Sequence, residues 1–429
     1  MDSSVIYRVI IDQREELNSY ASDGLVYRKE TERISLTDNL AQVVIGVRRS
    51  GKSTLCHMAL EKAGVKYGYV NFDDDRLANL KVEDLNLVLE AVYRVYGNDV
   101  KHLFFDEIQN VDGWHLFVNR LLRQRLHLIV TGSNAHLLSS ELATHLTGRY
   151  NEIKLFPFSF QDYCVSKGFA TDVPTTKNIA ALNNALDEYL IEGGFPEPTS
   201  LPEKYSYVSS LIDAIIIKDI MPRFHIRNAT GLKTLANHLI NNAGQVINIS
   251  NLTELFGIGT DKTIRSYVDY LAQAFLIVPL TKFSYKSSER LRNSKAYVVD
   301  TGMLTYRTDL MSSENLGWRL ENAVFLELLR RNAPFYRDIF YYRPTAHSKE
   351  VDFVVTERGK AIELVQVSYD ISNPKTLSRE LSALKAASKK IGCQKLTLVT
   401  CSSSRKEIIS GVEINVVSAV EWLLGTTWK

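Results

Sequence analysis

The amino-acid sequence predicts an α/β protein in three parts, with a parallel sheet in the first part and a second sheet in the last. A leading helix is predicted at 3–20. Strand-like runs that are apolar on both faces then alternate with helical segments, at 41–47, 66–72, 101–107 and 126–132. Such runs are typical of a buried parallel sheet whose strands are connected by helices. The chain becomes mainly helical from residue 180, and strands alternate with helices again after residue 300.

Length and composition are those of a globular protein with several domains. At 429 residues the chain is longer than one ordinary core accommodates, and we expect domains at 1–170, 171–300 and 301–429. The formal net charge is only +2, so affinity for nucleic acid would have to come from local patches. The four cysteines form no CxxC pair, which predicts neither a zinc site nor disulfides and favours a reducing, cytoplasmic location. We see no signal peptide and no apolar run of membrane-spanning length, so we expect no membrane partner.

The segment GVRRSGKS, from Gly46 to Ser53, matches the phosphate-binding consensus G-x-x-x-x-G-K-S in full. It follows an apolar strand and begins a helix, as this motif requires. Gly46 and Gly51 let the backbone curl so that successive N–H groups face phosphate oxygens, while Lys52 places a positive charge beside the β and γ phosphates. The hydroxyl of Ser53 suits Mg²⁺. We therefore predict a P-loop NTPase domain that binds ATP and Mg²⁺, and the following residues complete the expected set: Arg49, Ser50 and Thr54.

An acidic pair follows at the end of the strand in HLFFDEIQN. Asp106 is placed to hold Mg²⁺ through water together with Ser53, and Glu107 to act as the base that orients the attacking water. The segment VTGSN ends another strand, and there Ser133 or Asn134 is placed to contact the γ phosphate or that water. An N-cap of the next helix is an equally good interpretation of these two residues.

Two further features of this part have open interpretations. Arg149, in LTGRY, lies in a loop after a helix, where it would reach the γ phosphate of a neighbouring subunit in a homo-oligomer. An ordinary surface or salt-bridging arginine is an equally good interpretation. The acidic turn Asp73–Asp75 ends the second strand, and a solvated turn is favoured there over contact with Mg²⁺.

The middle of the chain predicts a helical, winged-helix-like domain. The turn-rich segment IEGGFPEPT is followed by three helices at 232–244, 250–257 and 260–274 and then by a pair of strands. Ser250 and Thr260 are expected to be the N-caps of the second and third helices.

The loop of this strand pair, the predicted wing, is strongly basic. Neutralisation of phosphates by its cations and stacking of bases on its aromatic side chains would suit DNA. A solvated loop that contacts another domain is the alternative. The residues concerned are Lys282, Phe283, Tyr285, Lys286, Arg290, Arg292 and Lys295, with Lys262 and Arg265 on the preceding helix.

These segments together resemble the predicted AAA-type ATPases of bacteria and archaea that carry a C-terminal domain of unknown function. The resemblance covers most of the chain and implies an ATPase core of the additional-strand class, a winged-helix-like connector and a C-terminal unit similar to the PD-(D/E)xK nuclease fold, which is restriction-endonuclease-like. It implies no particular substrate. The motifs are GVRRSGKS, NFDDDRL, FFDEIQNVDGW, VTGSNAHLL, LTGRYNEIKLFPFSFQDY, EGGFPEP, KAYVVDTGM, GWRLENAVFLEL and EVDFVV with ELVQVSYD. One departure, Gln161 where members often have an acid, is expected to be structural.

The C-terminal unit departs from the nuclease pattern at its catalytic positions. Asp352 on one strand and Glu321 on the preceding helix match acids of the pattern, although pairing with basic neighbours is an equally good interpretation of both. The next strand carries Gln366 and Ser368 where active members have an acid and a lysine. Glu363 has the opposite strand parity and would need a bulge to replace Gln366. We therefore predict a degenerate nuclease-like site without nuclease activity.

The sequence thus favours an ATP-binding and ATP-hydrolysing molecular switch with a degenerate nuclease-like module and an association with nucleic acid. One alternative is an ATP-controlled, metal-dependent DNA nuclease. The other is a protein adaptor that holds nucleotide without hydrolysing it. The three differ in ATP turnover and in DNA cleavage.

Overall fold

The computed structural model describes residues 1–19, 25–133, 146, 148–172, 175–197, 204–284, 286, 294–306, 316–345 and 348–426. The chain divides into two units, Met1–Phe156 and Pro157–Lys429. The predicted domain boundaries at residues 170 and 300 remain a prediction. Among the described helices, none is long and apolar enough to cross a membrane.

Within its described residues, the first unit contains a five-stranded parallel sheet in the order β2-β3-β4-β1-β5. Its strands are β1 (Ala41–Ile45), β2 (Tyr67–Asn71), β3 (His102–Asp106), β4 (His127–Gly132) and β5 (Tyr150–Lys154). The four predicted strands are confirmed, and β4 lies between β1 and β3 as the additional strand. The sequence pattern did not reveal β5, because this edge strand is mostly half-exposed and lacks a continuous apolar run.

Four helices accompany this sheet: α1 (Ser3–Ser19), α2 (Lys52–Lys62), α3 (Leu85–Tyr96) and α4 (Trp114–Arg123). The predicted leading helix is confirmed as α1. Two of its polar side chains bind neighbouring elements. Gln13 Nε2 donates to the carbonyl of Asn71 in β2 at 3.0 Å, and Arg14 donates to the carbonyl of Val95 in α3 at 2.8 Å. The core lies between the sheet and the helices, where β1, β3 and β4 are almost completely buried.

The second unit begins with helices and a two-stranded antiparallel ribbon, β6 (Ile277–Thr281) with β7 (Ser294–Val298). Its helices before the ribbon are α5 (Phe160–Ser166), α6 (Thr176–Glu192), α7 (Lys204–Ala214) with a π-helical continuation (Ile215–Ile220), α8 (Ala229–Asn241), α9 (Ile249–Phe256) and α10 (Asp261–Gln273). The three predicted helices before the strand pair are present as α8, α9 and α10.

One of the two predicted N-caps is wrong. Thr260 caps α10 by accepting a hydrogen bond from the N–H of Thr263 at 3.4 Å. At α9, however, Asn248 accepts from the N–H of Asn251 at 3.2 Å, and Ser250 lies inside the helix. The hydroxyl of Ser250 donates instead to the carboxylate of Asp261 in α10 at 3.1 Å, so a tertiary contact competes with the local signal.

The C-terminal part of the second unit contains a mixed six-stranded sheet within its described residues, in the order β12-β13-β11-β10-β9-β8. Its strands are β8 (Asp338–Tyr342), β9 (Val351–Glu357), β10 (Lys360–Val367), β11 (Leu396–Thr400), β12 (Arg405–Ile409) and β13 (Val412–Ser418), and its helices are α11 (Leu316–Asn332), α12 (Pro374–Ile391) and α13 (Ala419–Leu424). The sequence pattern did not reveal β12, because this edge strand has charged and exposed side chains.

A buried junction explains three of the motifs that carry the resemblance. The carboxylate of Asp300 accepts the N–H groups of Gly194 at 2.6 Å and of Gly302 at 2.8 Å. The buried guanidinium of Arg319 donates to the carbonyl of Thr301 at 3.1 Å. The segments EGGFPEP, KAYVVDTGM and GWRLENAVF therefore meet in one buried core, where a carboxylate and a guanidinium hold them together through hydrogen bonds.

Candidate functional site

The phosphate-binding loop connects β1 to α2 and has the conformation that its glycines allow. Gly51 has a φ of 89°, in the left-handed region that L side chains rarely adopt. Gly46 is required for another reason, because a Cβ there would lie 2.1 Å from the carbonyl oxygen of Leu155. Arg49 also has a positive φ, of 67°. The loop is thus strongly curled, as a phosphate cradle requires.

Lys52 begins α2, and its ammonium is held inside the loop. The side chain is only 5% exposed. Its Nζ donates to the carbonyls of Gly46 at 3.2 Å and of Val47 at 3.3 Å and lies 3.5 Å from Oε1 of Glu107. A buried positive charge beside a curled backbone provides the electrostatics that an anionic phosphate needs.

Asp106 ends β3 and lies beside the start of α2. Its carboxylate accepts hydrogen bonds from the hydroxyls of Thr131, of Tyr69 at 3.3 Å and of Ser53. Burial and the neighbouring charge of Glu107 raise the pKa of Asp106, although the bonds from Ser53 and Thr131 oppose this shift. The structure therefore brings together the hydroxyl and the carboxylate predicted to hold Mg²⁺, and oxygen ligands of this kind fit that ion.

Glu107 follows Asp106 and lies beside Lys52. Its backbone is strained, with a φ of 53°. Its N–H donates to Oγ1 of Thr131 at 3.0 Å, and its carboxylate accepts from the N–H of Ser133 at 3.2 Å. Burial raises the pKa of Glu107. The charge of Lys52 and the hydrogen bonds from Gln109 and Ser133 have a larger, opposite effect, so the pKa is lowered overall. The carboxylate is thus ionised at neutral pH and, at 19% exposure, can accept a hydrogen bond from water.

Two residues that the sequence motifs did not identify hold this cluster in place. Thr131, at the end of β4, both donates to Asp106 and accepts from Glu107, so it fixes the relative positions of the two acids. Arg28 is buried and donates to the carbonyls of Ser50 at 3.2 Å and of Phe156 at 2.9 Å. Thr131 lies in the predicted VTGSN segment, whereas a single arginine before a short 3₁₀ helix (Lys29–Arg33) carries no recognisable signal.

Replacing Arg28 with Ala is expected to destabilise the first unit. The loss of charged hydrogen bonds to two loop carbonyls should lower the free energy of unfolding by about 1.5–3 kcal/mol. Denaturant unfolding measures this. The matched control is Arg94→Ala, whose exposed pair with Glu90 should contribute no more than about 0.5 kcal/mol. Equal stability of the two variants would show that Arg28 does not support the loop.

Arg149 is exposed and lies directly before β5, where its carbonyl accepts from the N–H of Ala41 at 3.0 Å. These positions are the beginnings of the parallel strands β1 and β5. The phosphate loop follows the other end of β1, so the backbone of Arg149 is about 16 Å away at 3.3 Å per strand residue. Asn134 lies outside the described residues.

The acidic turn after β2 is engaged in structural contacts. Asp74 accepts from the N–H of Arg76 at 3.0 Å and from Gln13 at 3.2 Å. Asp73 is exposed and lies 3.7 Å from a guanidinium nitrogen of Arg48. The exposed Asp73 and Asp75 are those of a solvated turn, whereas Asp74 is held by protein contacts.

Two residues of the predicted wing are not available to DNA. Phe283 is 6% exposed, packs edge-on against Phe340 and donates its N–H to the carbonyl of Tyr341 at 2.7 Å. Lys295 is 4% exposed and pairs with Glu350. For these two residues the DNA interpretation is wrong, because local composition does not reveal that this ribbon packs on β8. Lys286, Lys262 and Arg265 are exposed and Lys282 is half-buried, whereas Tyr285, Arg290 and Arg292 lie outside the described residues.

Lys295 belongs to a buried ionic cluster at the predicted nuclease-like site. Its Nζ pairs with Glu350 and lies 3.8 Å from Oε1 of Glu321, which also accepts from the hydroxyl of Tyr297 at 2.6 Å. Burial raises the pKa of Asp352 and that of Glu321, and the positive charge of Lys295 opposes both shifts. The acids therefore do have a basic partner, but it comes from β7, which the sequence pattern did not indicate.

The remaining predicted residues of this site form hydrogen bonds with groups other than Lys295. Gln366 accepts from the N–H of Asp352 at 3.4 Å and donates to Oε2 of Glu380 at 2.9 Å. Ser368 donates to a backbone carbonyl at 3.2 Å. A register shift does occur in β10 before Glu363, yet this acid pairs at 2.8 Å with Lys395, which lies directly before β11. Within the described residues, no three His, Cys, Asp or Glu side chains are arranged to hold a metal ion.

Comparisons with known protein families match three segments of the chain. Residues 38–164 match the model of an AAA domain, whereas 183–314 and 316–421 match two domains of unknown function, DUF8612 and DUF4143. The uncharacterized protein MJ1544 of Methanocaldococcus jannaschii is 34% identical over 407 residues, 93% of this chain and 89% of the relative. An uncharacterized protein of Haemophilus influenzae is 32% identical over 399 residues, 89% of this chain and 94% of the relative.

Two solved structures are more distant. The Holliday junction branch migration motor RuvB of Thermotoga maritima has 15% identity and a TM-score of 0.26, over 64% of this chain and 93% of that one. A chain of the structure of Drosophila ORC bound to AT-rich DNA and Cdc6 has 12% identity and a TM-score of 0.20, over 69% of this chain and 90% of that one. Both TM-scores are too low to indicate a shared overall architecture.

Proposed function

This chain belongs to the same family as the uncharacterized protein MJ1544 of Methanocaldococcus jannaschii, and from that premise we propose that it is an ATP-hydrolysing molecular switch. Its AAA domain is that of a nucleotide-binding ATPase of the AAA type. One observation carries the step from binding to hydrolysis: Lys52, Ser53, Asp106 and Glu107 form one connected polar cluster at the ends of β1 and β3. This is the set that phosphate binding, metal binding and activation of water require.

Each of these residues has a distinct role in the proposal. Lys52 binds the β and γ phosphates, since its ammonium is already held beside the curled loop. Ser53 and Asp106 hold Mg²⁺, which supplies positive charge to the phosphate oxygens. Glu107 accepts a proton from the attacking water, because its carboxylate is ionised and partly exposed.

The C-terminal part is proposed to be a nuclease-like module that binds nucleic acid without cleaving it. In support, the neutral Gln366 occupies the position of an acid ligand and is held by hydrogen bonds to neighbours. A different observation keeps the nuclease as a second candidate: the ammonium of Lys295 lies among the acids and would supply the fixed cation that Ser368 lacks. The third possibility is a protein adaptor that binds the nucleotide but does not hydrolyse it, so it would show no ATP turnover.

Steady-state ATP turnover of the full chain, with and without duplex DNA, tests this proposal together with the integrity of the DNA in Mg²⁺ or Mn²⁺. We expect turnover and intact DNA. Binding of ATP without turnover would favour the adaptor. Cleavage of the DNA that is lost in Asp352→Ala would establish the nuclease, and cleavage retained in that variant would indicate a contaminant.

A further inference from the structure

The helix α12 has a strongly asymmetric distribution of charge. Its residues include five cations and one acid. The acid, Glu380, is buried and accepts from Gln366 at 2.9 Å and from Arg379 at 2.8 Å. The inner side, with Leu381 and Leu384, packs against the six-stranded sheet. The solvent-facing side of the helix therefore carries cations without an acid.

Four of these cations are uncompensated. Lys375, Lys389 and Lys390 are exposed and Lys385 is half-buried. Among the described residues, none of the four has a carboxylate within 4.0 Å, the distance at which an ion pair is counted. Several other surface cations are paired with acids, as in Lys66–Asp99, Lys395–Glu363 and Arg405–Glu407. In a chain with a net charge of only +2, four unpaired lysines on one helix form a pronounced local patch.

The shape of this face limits the kind of partner it fits. The lysines extend over about 22 Å at 1.5 Å per residue. Between them lie Ser378, Ser382 and Ala386, whose small side chains let a partner approach the helix closely. No aromatic or large apolar side chain lies on the outer face of α12, so it lacks the groups that insert into a bilayer or stack on unpaired bases.

We propose that the outer face of α12 binds the phosphate backbone of double-stranded DNA without sequence preference. The partner is a polyanion because the face offers charge alone. It is a B-form duplex because its major groove, about 12 Å wide, admits an α-helix about 10–12 Å across, whereas the A-form groove of RNA is too narrow. The inference does not rest on ATP hydrolysis, since α12 contributes nothing to the phosphate loop.

The test is fluorescence anisotropy of a labelled DNA duplex with the full chain between about 50 and 200 mM salt. Four phosphate contacts give a slope of log affinity against log salt of about −3.6, so wild-type affinity should fall about 10²-fold over this range. The variant with glutamine at Lys375, Lys385, Lys389 and Lys390 should bind far more weakly and show a flattened slope. The matched control replaces four exposed lysines elsewhere with glutamine: Lys101, Lys167, Lys177 and Lys218.

Both quadruple variants change the net charge equally, so their difference reports position rather than total charge. The inference would be overturned if both variants lost the same amount of DNA affinity, or if the α12 variant bound DNA as tightly as the wild type. Tighter binding of duplex RNA or of anionic vesicles than of DNA would also overturn it. If the glutamine variant is unstable, arginine at the same four positions keeps the charge. Loss of DNA binding in that variant would also count against the proposal.

Discussion

Replacing Glu107 with Gln is expected to leave ATP bound and to lower its turnover by about 10²–10⁴-fold, the usual contribution of a general base. The amide has nearly the shape of the carboxylate but cannot accept a proton. The present carboxylate is ionised because Lys52 lies 3.5 Å away and Ser133 donates its N–H at 3.2 Å. Because the pKa of Glu107 is lowered, its carboxylate stays ionised at a pH equal to the ordinary pKa of a glutamate. The base should therefore stay active as the pH falls to that value.

Phosphate release and titration calorimetry together measure this effect. Lys52→Ala should instead weaken binding of ATP, since it removes the charge that meets the phosphates. Glu90→Gln, on the exposed face of α3, is the matched control and should change neither property. Normal turnover in Glu107→Gln would remove this residue from the proposed mechanism.

Replacing Arg149 with Ala is expected to lower turnover by about 10³–10⁵-fold, the contribution of an arginine finger, while ATP still binds. The structure sharpens this prediction. Arg149 precedes β5 at the end of the sheet opposite the phosphate loop, so it is too far from the loop of its own chain. The residue can therefore act on ATP only in a neighbouring subunit of a homo-oligomer.

Mixing two inactive variants tests this arrangement. Arg149→Ala supplies an intact ATP site, and Lys52→Ala supplies an intact arginine, so the mixture should recover part of the activity. Native mass measurement with ATP should show an oligomer under the same conditions. An inactive mixture of assembled subunits, or full activity in Arg149→Ala, would leave Arg149 as an ordinary surface arginine.

The sequence by itself determined the features whose signals are local. Gly51 to Ser53 identify the phosphate loop because backbone conformation and phosphate chemistry are both encoded within a few consecutive residues. The strands β1 to β4 were recognisable because both of their faces are buried. The edge strands β5 and β12 were not, since half-exposed strands lack that continuous apolar run.

Tertiary structure decided which distant groups become partners. Lys295 resembles a basic wing residue in the sequence, yet it pairs with Glu350, 55 positions later. Arg28 donates both to the carbonyl of Ser50 in the phosphate loop and to that of Phe156, 128 positions away. Such pairings follow from burial of the ribbon and of the strand ends, where an ionic or polar group must find a partner to offset the loss of water. Local composition cannot specify that partner, because folding of the whole chain brings it near.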